Sequence, residues 1–264
     1  MPSGWYYNLS FLKEKVKGKI WMRLHPGNER FCPFCQKSYK KFMPCRYSQE
    51  ITEKADIISA KTIENLTCPN CLSKDRQRAL YLYCTRKNIS FADKKILHFA
   101  PELSLYSIIS PQNPTEYILG DIEPEAYAHI LQPVRKLDIL NIDLPDDYFD
   151  IVICNHVLEH IDDDIKAMKE LFRVLRKGGF AVLLVPIGAN LEKTYEDASK
   201  ITEEERAEAF GQSDHVRIYS EKDYLERLES VGFTMRAENA PLTPDEIFKY
   251  AINPREKLYI GYKH

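Results

Sequence analysis

From Lys95 onward the apolar positions fall into short blocks, each cut off by polar residues and followed by a stretch with helical spacing. Blocks over 96–100, 117–121, 134–139, 149–154 and 180–185 read as five strands. The run from Phe149 to Pro186 is the clearest. Its apolar block breaks abruptly at Asn155 and His156, an amphipathic segment follows, Gly178-Gly179 makes a stop, and a second apolar block begins. That order predicts strand, functional loop, helix, turn, strand. Ser220, with Asp223 three residues on, caps a later helix that Gly232 closes. Residues 233–237 and 257–262 supply a closing antiparallel pair. The pattern predicts an α/β region over 95–264: a seven-stranded, mostly parallel sheet with helices on both faces. In open sheets of this kind ligands bind at the carboxyl ends of the strands, where Asn155 and His156 fall.

Residues 1–94 carry a different signal. Cys32-Pro33-Phe34-Cys35 and Cys68-Pro69-Asn70-Cys71 are two knuckles separated by 32 residues. Two residues between thiolates let both sulfurs turn toward one tetrahedral ion, and soft thiolates favour Zn²⁺ over harder cations. Cys32, Cys35, Cys68 and Cys71 are therefore expected to hold a structural zinc in a small zinc-ribbon-like lobe. A closed four-sulfur site has no open position, so it does no chemistry. Residues 38–62 should form a hairpin or loop between the knuckles, with Cys45 as a spare thiol or substitute ligand. Cys84 and Cys154 sit in apolar surroundings and read as core. Residues 75–87 have helical spacing and join the two parts, with Arg76 and Arg78 at the start able to reach an anion or to lie exposed.

Composition sharpens the division. The chain has 264 residues and a net charge of −2, yet residues 1–94 hold 18 Lys and Arg against 8 Asp and Glu, and the remainder 19 against 31. A basic part and an acidic part suggest two domains, 1–94 and 95–264, the first able to meet an anionic partner or simply to present a solvated face. No apolar run approaches the roughly 20 residues that span a bilayer. The first 24 residues lack a continuous apolar stretch, so the expected address is cytoplasmic with no membrane partner. Seven cysteines in that setting point to metal or buried thiols, not disulfides.

The strand order, with a carboxylate ending the second strand, resembles the class I S-adenosylmethionine-dependent methyltransferases, a Rossmann-like fold. The resemblance covers residues 95–264 and is densest from Asp138 to Pro186. Leu144-Pro-Asp-Asp-Tyr-Phe-Asp-Ile-Val is similar to that family's acidic loop into its fourth strand. Val157-Leu-Glu-His, then Leu171-Phe-Arg-Val-Leu-Arg-Lys-Gly-Gly, is similar to the following helix and turn. The resemblance implies S-adenosylmethionine as cofactor. Asp121 would accept from the ribose hydroxyls, with Glu123 as competitor, while Asp138 and the Ile139 amide would face adenine and Asn155 would orient substrate or the cofactor amine. One departure stands out. The first turn, His98-Phe-Ala-Pro-Glu-Leu-Ser, has no glycine; Ala100 and Ser104 are small, and Glu102 could bind the cationic amine. A pyrophosphate cofactor such as NAD is disfavoured by the same glycine-free turn and by Glu102. A degenerate domain that binds nothing is the alternative.

Methyl transfer to a hydroxyl needs alignment and a base. His156 and His215 are the candidates, and His160 shares a face with His156 if a helix begins there. Asp214 could raise the basicity of His215, and Arg217 could hold an acceptor's charge. Residues 188–212, polar and partly helical, would form a lid. Three readings follow. The first is O-methylation of a small molecule or sugar; the second is a ribosomal RNA methyltransferase carrying a zinc ribbon; the third is a non-catalytic binding protein. The acidic balance beyond residue 94 argues against a nucleic acid near the chemistry.

Overall fold

The computed structural model describes residues 4–45, 49–58 and 63–264, with the backbone alone for 4–10. The chain opens on a long helix, α1 (Gly4–Leu24). Its signal is an apolar residue on every fourth position, Leu12, Val16, Ile20 and Leu24, all exposed. The helix crosses the second cysteine knuckle so closely that a Cβ on Gly18 would lie 2.0 Å from the Pro69 carbonyl oxygen. Lys15 Nζ donates to the Asn70 carbonyl at 2.6 Å and Trp21 Nε1 to that of Lys41 at 3.2 Å. The hairpin β1 (Arg30–Cys32) and β2 (Lys37–Tyr39) carries the first knuckle, with Gln36 in the left-handed conformation at its turn. A second antiparallel pair, β3 (Met43–Cys45) and β4 (Ile63–Thr67), flanks α2 (Glu50–Lys54). Residues 46–48 and 59–62 of the expected hairpin or loop lie outside the described residues. The joining helix α3 (Asp75–Arg86) starts and ends close to its expected limits.

The sheet is built from β5 (Lys95–Phe99), which α4 (Leu103–Ile109) follows, β6 (Glu116–Asp121), β7 (Arg135–Lys136), β8 (Phe149–Cys154), β9 (Leu175–Val182), β12 (Thr234–Glu238) and β13 (Leu258–Tyr262). Along its width the order is β7-β6-β5-β8-β9-β13-β12. The first five are parallel, and β13 runs antiparallel to both β9 and β12. Order reverses between β5 and β8, the switch point at which such sheets open a crevice. Strands β5 and β8 are buried on both faces, with Ile96, Leu97, Val152 and Ile153 at most 1% exposed, as parallel strands under helices must be.

Two expectations need correction. Gly178-Gly179 does not separate helix from strand: α5 (Asp164–Val174) ends at once into β9, which runs through both glycines. The extra residues are absorbed by a register shift opposite Phe149–Ile151, with Gly178 at φ +74°. The third strand shrinks to two residues because Asp138 closes a tight turn with Asn141. The Ser220 cap of α7 (Glu221–Ser230) accepts from the Asp223 amide as expected.

Residues 188–212 fold against the amino-terminal insert. Strand β10 (Tyr195–Glu196) pairs with β11 (Arg217–Ile218), and α6 (Glu203–Phe210) is started by a Thr202–Glu205 capping box. Ala209, Phe210 and Ile218 pack with Ala55 and Ile57 beside α2. Arg78 ties the regions together. It is fully buried and donates to the carbonyls of Ser73, Asn65, Leu66, Tyr250 and Ala251, the last two ending α8 (Pro244–Tyr250), with Phe42 against its guanidinium. It is neither exposed nor free for an anion. Among the described residues no helix is long and apolar enough to cross a membrane.

Candidate functional site

The ends of β5 and β8 sit side by side because Phe99 pairs with Cys154. Each strand is followed within two residues by a residue with positive φ. Ala100 (φ +47°) turns the chain where a glycine would do so freely, and its amide donates to the Gly120 carbonyl at 3.0 Å. His156 (φ +54°) does the same after β8, its amide donating to Leu184 at 2.7 Å. Left-handed backbone at two non-glycine residues costs each of them roughly 1–2 kcal/mol. Such strain persists where the surrounding structure over-determines it, often at functional sites.

The two turns bring Glu102 and Asn155 together. Asn155 Nδ2 donates to Glu102 Oε2 at 3.3 Å, and His98 Nε2 lies 3.1 Å from the same oxygen. Gln77 of α3 reaches Glu102 Oε1 at 3.4 Å. Burial works against ionisation of Glu102, but His98 and the nearby Arg76 outweigh it and hold the carboxyl below its ordinary value. His98 is itself fixed by the Tyr117 hydroxyl at 2.9 Å.

Beyond Asn155 the chain makes one short turn, Leu158–His160, before α5 starts at Asp164. His156 and His160 therefore do not share a helical face. His156 Nδ1 instead lies 3.2 Å from Glu159 Oε1. Glu159 is 1% exposed, and although burial opposes its charge, the hydrogen bond from His156 and the imidazoles of His160 and His215 bring it to about 2. An ionised carboxylate only accepts, so Nδ1 carries the proton and His156 Nε2 presents a lone pair. Burial, then Arg76, pushes His156 down to about 4, which leaves it neutral near pH 7.

Several buried polar atoms here lack any hydrogen-bond partner: Asn155 Oδ1, His156 Nε2, Glu159 Oε2 and Arg76 Nε. Buried polar groups are nearly always paired, so a cluster of orphans marks a place for a polar ligand. Arg76, able from its place in the sequence to reach an anion, acts on this site from α3 through long-range packing. Glu159 has no role in the sequence pattern, because its pairing with His156 three residues away depends on the geometry of the turn between them.

The remaining cofactor candidates stand along the same edge. Asp121 ends β6, its oxygens accepting from the Tyr127 hydroxyl at 2.7 Å and the Glu123 amide at 2.8 Å. Each oxygen keeps a lone pair for another donor. Glu123 thus serves as a turn partner of Asp121. Asp138 is exposed and accepts from Leu140, while Ile139 is buried. His215 is 4% exposed and lies edge-to-face with His160, centroids 4.7 Å apart; burial lowers its basicity. Asp214 pairs directly with His160; its charge still raises the basicity of His215, but burial outweighs it. Arg217 is spent on Glu196 and the carbonyls of Leu158, Ile161 and Asp162, so it does not wait for an acceptor.

The four knuckle cysteines meet. Cys32 and Cys71 sulfurs are 3.5 Å apart, Cys35 and Cys68 3.7 Å. Four thiolates around an ion at about 2.3 Å have spacings of this size. The Ser73 and Tyr39 hydroxyls lie 3.2 and 3.3 Å from the sulfurs of Cys71 and Cys35. The four sulfurs thus form a group able to hold a metal ion, and Cys45 is not part of it.

Comparison with known proteins follows the same lines. Residues 109–183 match the family model described as a methyltransferase domain. The chain is 40% identical over 55 residues to the ubiquinone/menaquinone biosynthesis C-methyltransferase UbiE of Vibrio vulnificus, a stretch that covers 20% of this chain and 21% of that protein. It thus spans about a fifth of the length of the curated relatives it matches. Among solved structures it is similar to the Burkholderia thailandensis 1,6-didemethyltoxoflavin-N1-methyltransferase, with TM-score 0.49 and 13% identity over 72% of this chain and 78% of that one. A Mesorhizobium loti S-adenosylmethionine-dependent methyltransferase gives TM-score 0.48 and 14% identity over 65% and 91%.

Proposed function

We propose that the sheet region is a methyltransferase domain of the class I fold and that the protein transfers a methyl group from S-adenosylmethionine to a hydroxyl of a small molecule or sugar. The observation that carries this is the set of orphaned polar atoms, Asn155 Oδ1, His156 Nε2 and Arg76 Nε, at the switch point of the sheet. Residues 1–94 then form a zinc-held lobe appended to a catalytic domain of residues 95–264.

When bound, S-adenosylmethionine supplies a methyl group on a sulfonium, open to direct displacement. Glu102 and Asn155 Oδ1 offer acceptors for its cationic amine. The Asp121 carboxylate, already oriented by Tyr127 and Glu123, takes the ribose hydroxyls through its remaining lone pairs. Asp138 and the Ile139 amide would hold adenine. Arg76 favours an acceptor that becomes anionic, and the Glu159 carboxylate partly offsets its effect on the imidazolium formed when His156 takes up a proton. His156 Nε2 is the atom that takes the hydroxyl proton, with Glu159 holding the ring through Nδ1. The balance of 19 basic against 31 acidic residues beyond residue 94 suits a small acceptor better than a nucleic acid.

The test is calorimetry with S-adenosylhomocysteine. Binding to the wild type that weakens about tenfold or more in Asp121→Ala supports the reading, a loss of roughly 1.4 kcal/mol. A wild type that binds no cofactor would sink it. His156→Gln should keep cofactor affinity and lose turnover; unchanged turnover removes His156 as the base.

A further inference from the structure

Beside the cofactor candidates, three side chains converge from two loops that lie far apart in the chain. Glu159 and His160 come from the turn after β8. His215 comes from the segment before β11, which is drawn in when the Val216 amide donates to the Glu159 carbonyl at 2.9 Å. One donor atom from each of the three lies within 4.8 Å of the other two. Glu159 Oε1 is engaged by His156, while Oε2 is buried and has no partner. His160 Nδ1 is 3.2 Å from the Asp214 carbonyl oxygen and 3.4 Å from its carboxylate. A proton on that nitrogen satisfies both, which leaves Nε2 of His160 with a lone pair. Metal-binding imidazoles are oriented in this manner, their second nitrogen donating to a carbonyl or carboxylate.

We propose that Glu159, His160 and His215 bind one divalent transition-metal ion, through Glu159 Oε2 and one imidazole nitrogen from each histidine. Two imidazoles with one carboxylate suit Zn²⁺, Fe²⁺, Co²⁺ or Mn²⁺ better than Ca²⁺ or Mg²⁺, which prefer all-oxygen sets. Three protein ligands leave coordination positions open, unlike the four-sulfur site. Two features argue for an ion over a plain hydrogen-bond cluster. Glu159 Oε2 is buried without a partner although a donor atom of each histidine lies within 4.8 Å of a Glu159 oxygen. The two imidazoles are held edge-to-face beside a carboxylate with His215 almost fully buried. If the methyltransferase reading holds, an acceptor oxygen is the ligand that would enter an open position, next to His156. The metal site itself does not depend on that reading.

The full-length protein reconstituted with Co²⁺ separates the two metal sites. The thiolate-to-cobalt charge-transfer band counts ions at the cysteines, and elemental analysis counts all of them. The wild type should hold one equivalent of cobalt more than its thiolate band accounts for. His160→Ala should lose that extra equivalent and keep the band. Because the His160 side chain is 29% exposed, its truncation disturbs the packing less than loss of the buried His215 would, and Glu159→Gln provides a second variant with little change of shape. A wild type whose cobalt is all accounted for by the band overturns the proposal. So does an extra equivalent that survives in both variants. Cofactor binding in Asp121→Ala bears on methyl transfer alone, so failure of one inference is distinguishable from failure of the other.

Discussion

The cysteine-bearing region and the parallel sheet are stabilised by different physics. The first packs Tyr39, Phe42 and Ala251 around Cys32 and Cys68, on strands of three to five residues. So small a cluster cannot offset the conformational entropy of ordering its loops. The second buries unbroken apolar strands, each Val, Leu or Ile contributing about 1.5–3 kcal/mol. Where apolar area is scarce, a few strong polar interactions take over: four sulfurs able to share an ion, and one arginine donating to five carbonyls. The difference teaches where each region is brittle. A methyl group lost from the sheet is felt locally; a lost sulfur or guanidinium is felt throughout the amino-terminal region.

The strongest way to break this contrast is to remove the ion proposed at the cysteines. Both tryptophans, Trp5 and Trp21, lie on α1, which rests on the second knuckle. Tryptophan fluorescence therefore reports the amino-terminal region, while far-ultraviolet dichroism is dominated by the sheet and its helices. Chelation, or Cys68→Ser, should shift the fluorescence transition to much lower denaturant, since structural zinc supplies on the order of 10 kcal/mol in small metal-held folds. The dichroism transition should persist. Coincident, unshifted transitions would show that the region does not need a metal.

The next effect in size comes from Arg78→Met. Methionine preserves most of the volume but takes the guanidinium donor from the carbonyls of Leu66, Tyr250 and Ala251, while the Ser73 carbonyl keeps the Cys68 amide. Unpaired buried acceptors cost about 1–3 kcal/mol each, reduced where water enters, so a total near 3–5 kcal/mol is expected. Ser73 and Leu66 belong to the amino-terminal region, Tyr250 and Ala251 to the end of α8, so both spectroscopic transitions should move together. Movement of one alone would mean that Arg78 is not the link.

The contrast also explains what was legible in the sequence. Elements whose cause is local were readable: the Ser220 cap, the Cys-x-x-Cys knuckles, the apolar blocks of β5, β6 and β8. Elements decided by partners elsewhere were not. The Gly178-Gly179 pair looks like a helix stop, yet pairing with β8 draws it into a bulged strand. Arg78 reads as exposed from its charge, and only the meeting of β4 with α8 buries it. Of the candidate site, Glu102, Asn155 and His156 fell at strand ends that periodicity could place. Glu159 carries no such signal: its bond to His156 depends on the shape of the short turn after β8, and only the Val216 amide brings in the segment before β11. Arg217, offered as an anion holder, is saturated by carbonyls for the same reason.

The smallest effect sharpens the comparison through a second set of arginines. Arg78 is bound by neutral carbonyls alone, whereas Arg217 adds the Glu196 carboxylate to its three carbonyls and Arg227 is bound by the carboxylates of Glu196 and Asp164, which tie β10 to α5 and α7. Hydrogen bonds from Arg227 first, then Arg217, outweigh burial and hold Glu196 at about 2. Its charged form is thus favoured by folding. The stabilisation is complete above the ordinary carboxylate value and is lost as pH falls from about 4.5 toward about 2. Glu196 is more than a third exposed, so solvent screening limits the contribution to less than about 1 kcal/mol. Glu196→Gln should lower the urea midpoint slightly at pH 7 and not at pH 2, because at low pH the wild type has lost the same charge. Other groups that titrate over that range are common to both proteins and cancel in the difference. A gap between the two proteins that stays constant from pH 7 to pH 2 would mean that the carboxylate contributes through shape alone, and the arginines around Glu196 would then resemble Arg78 after all.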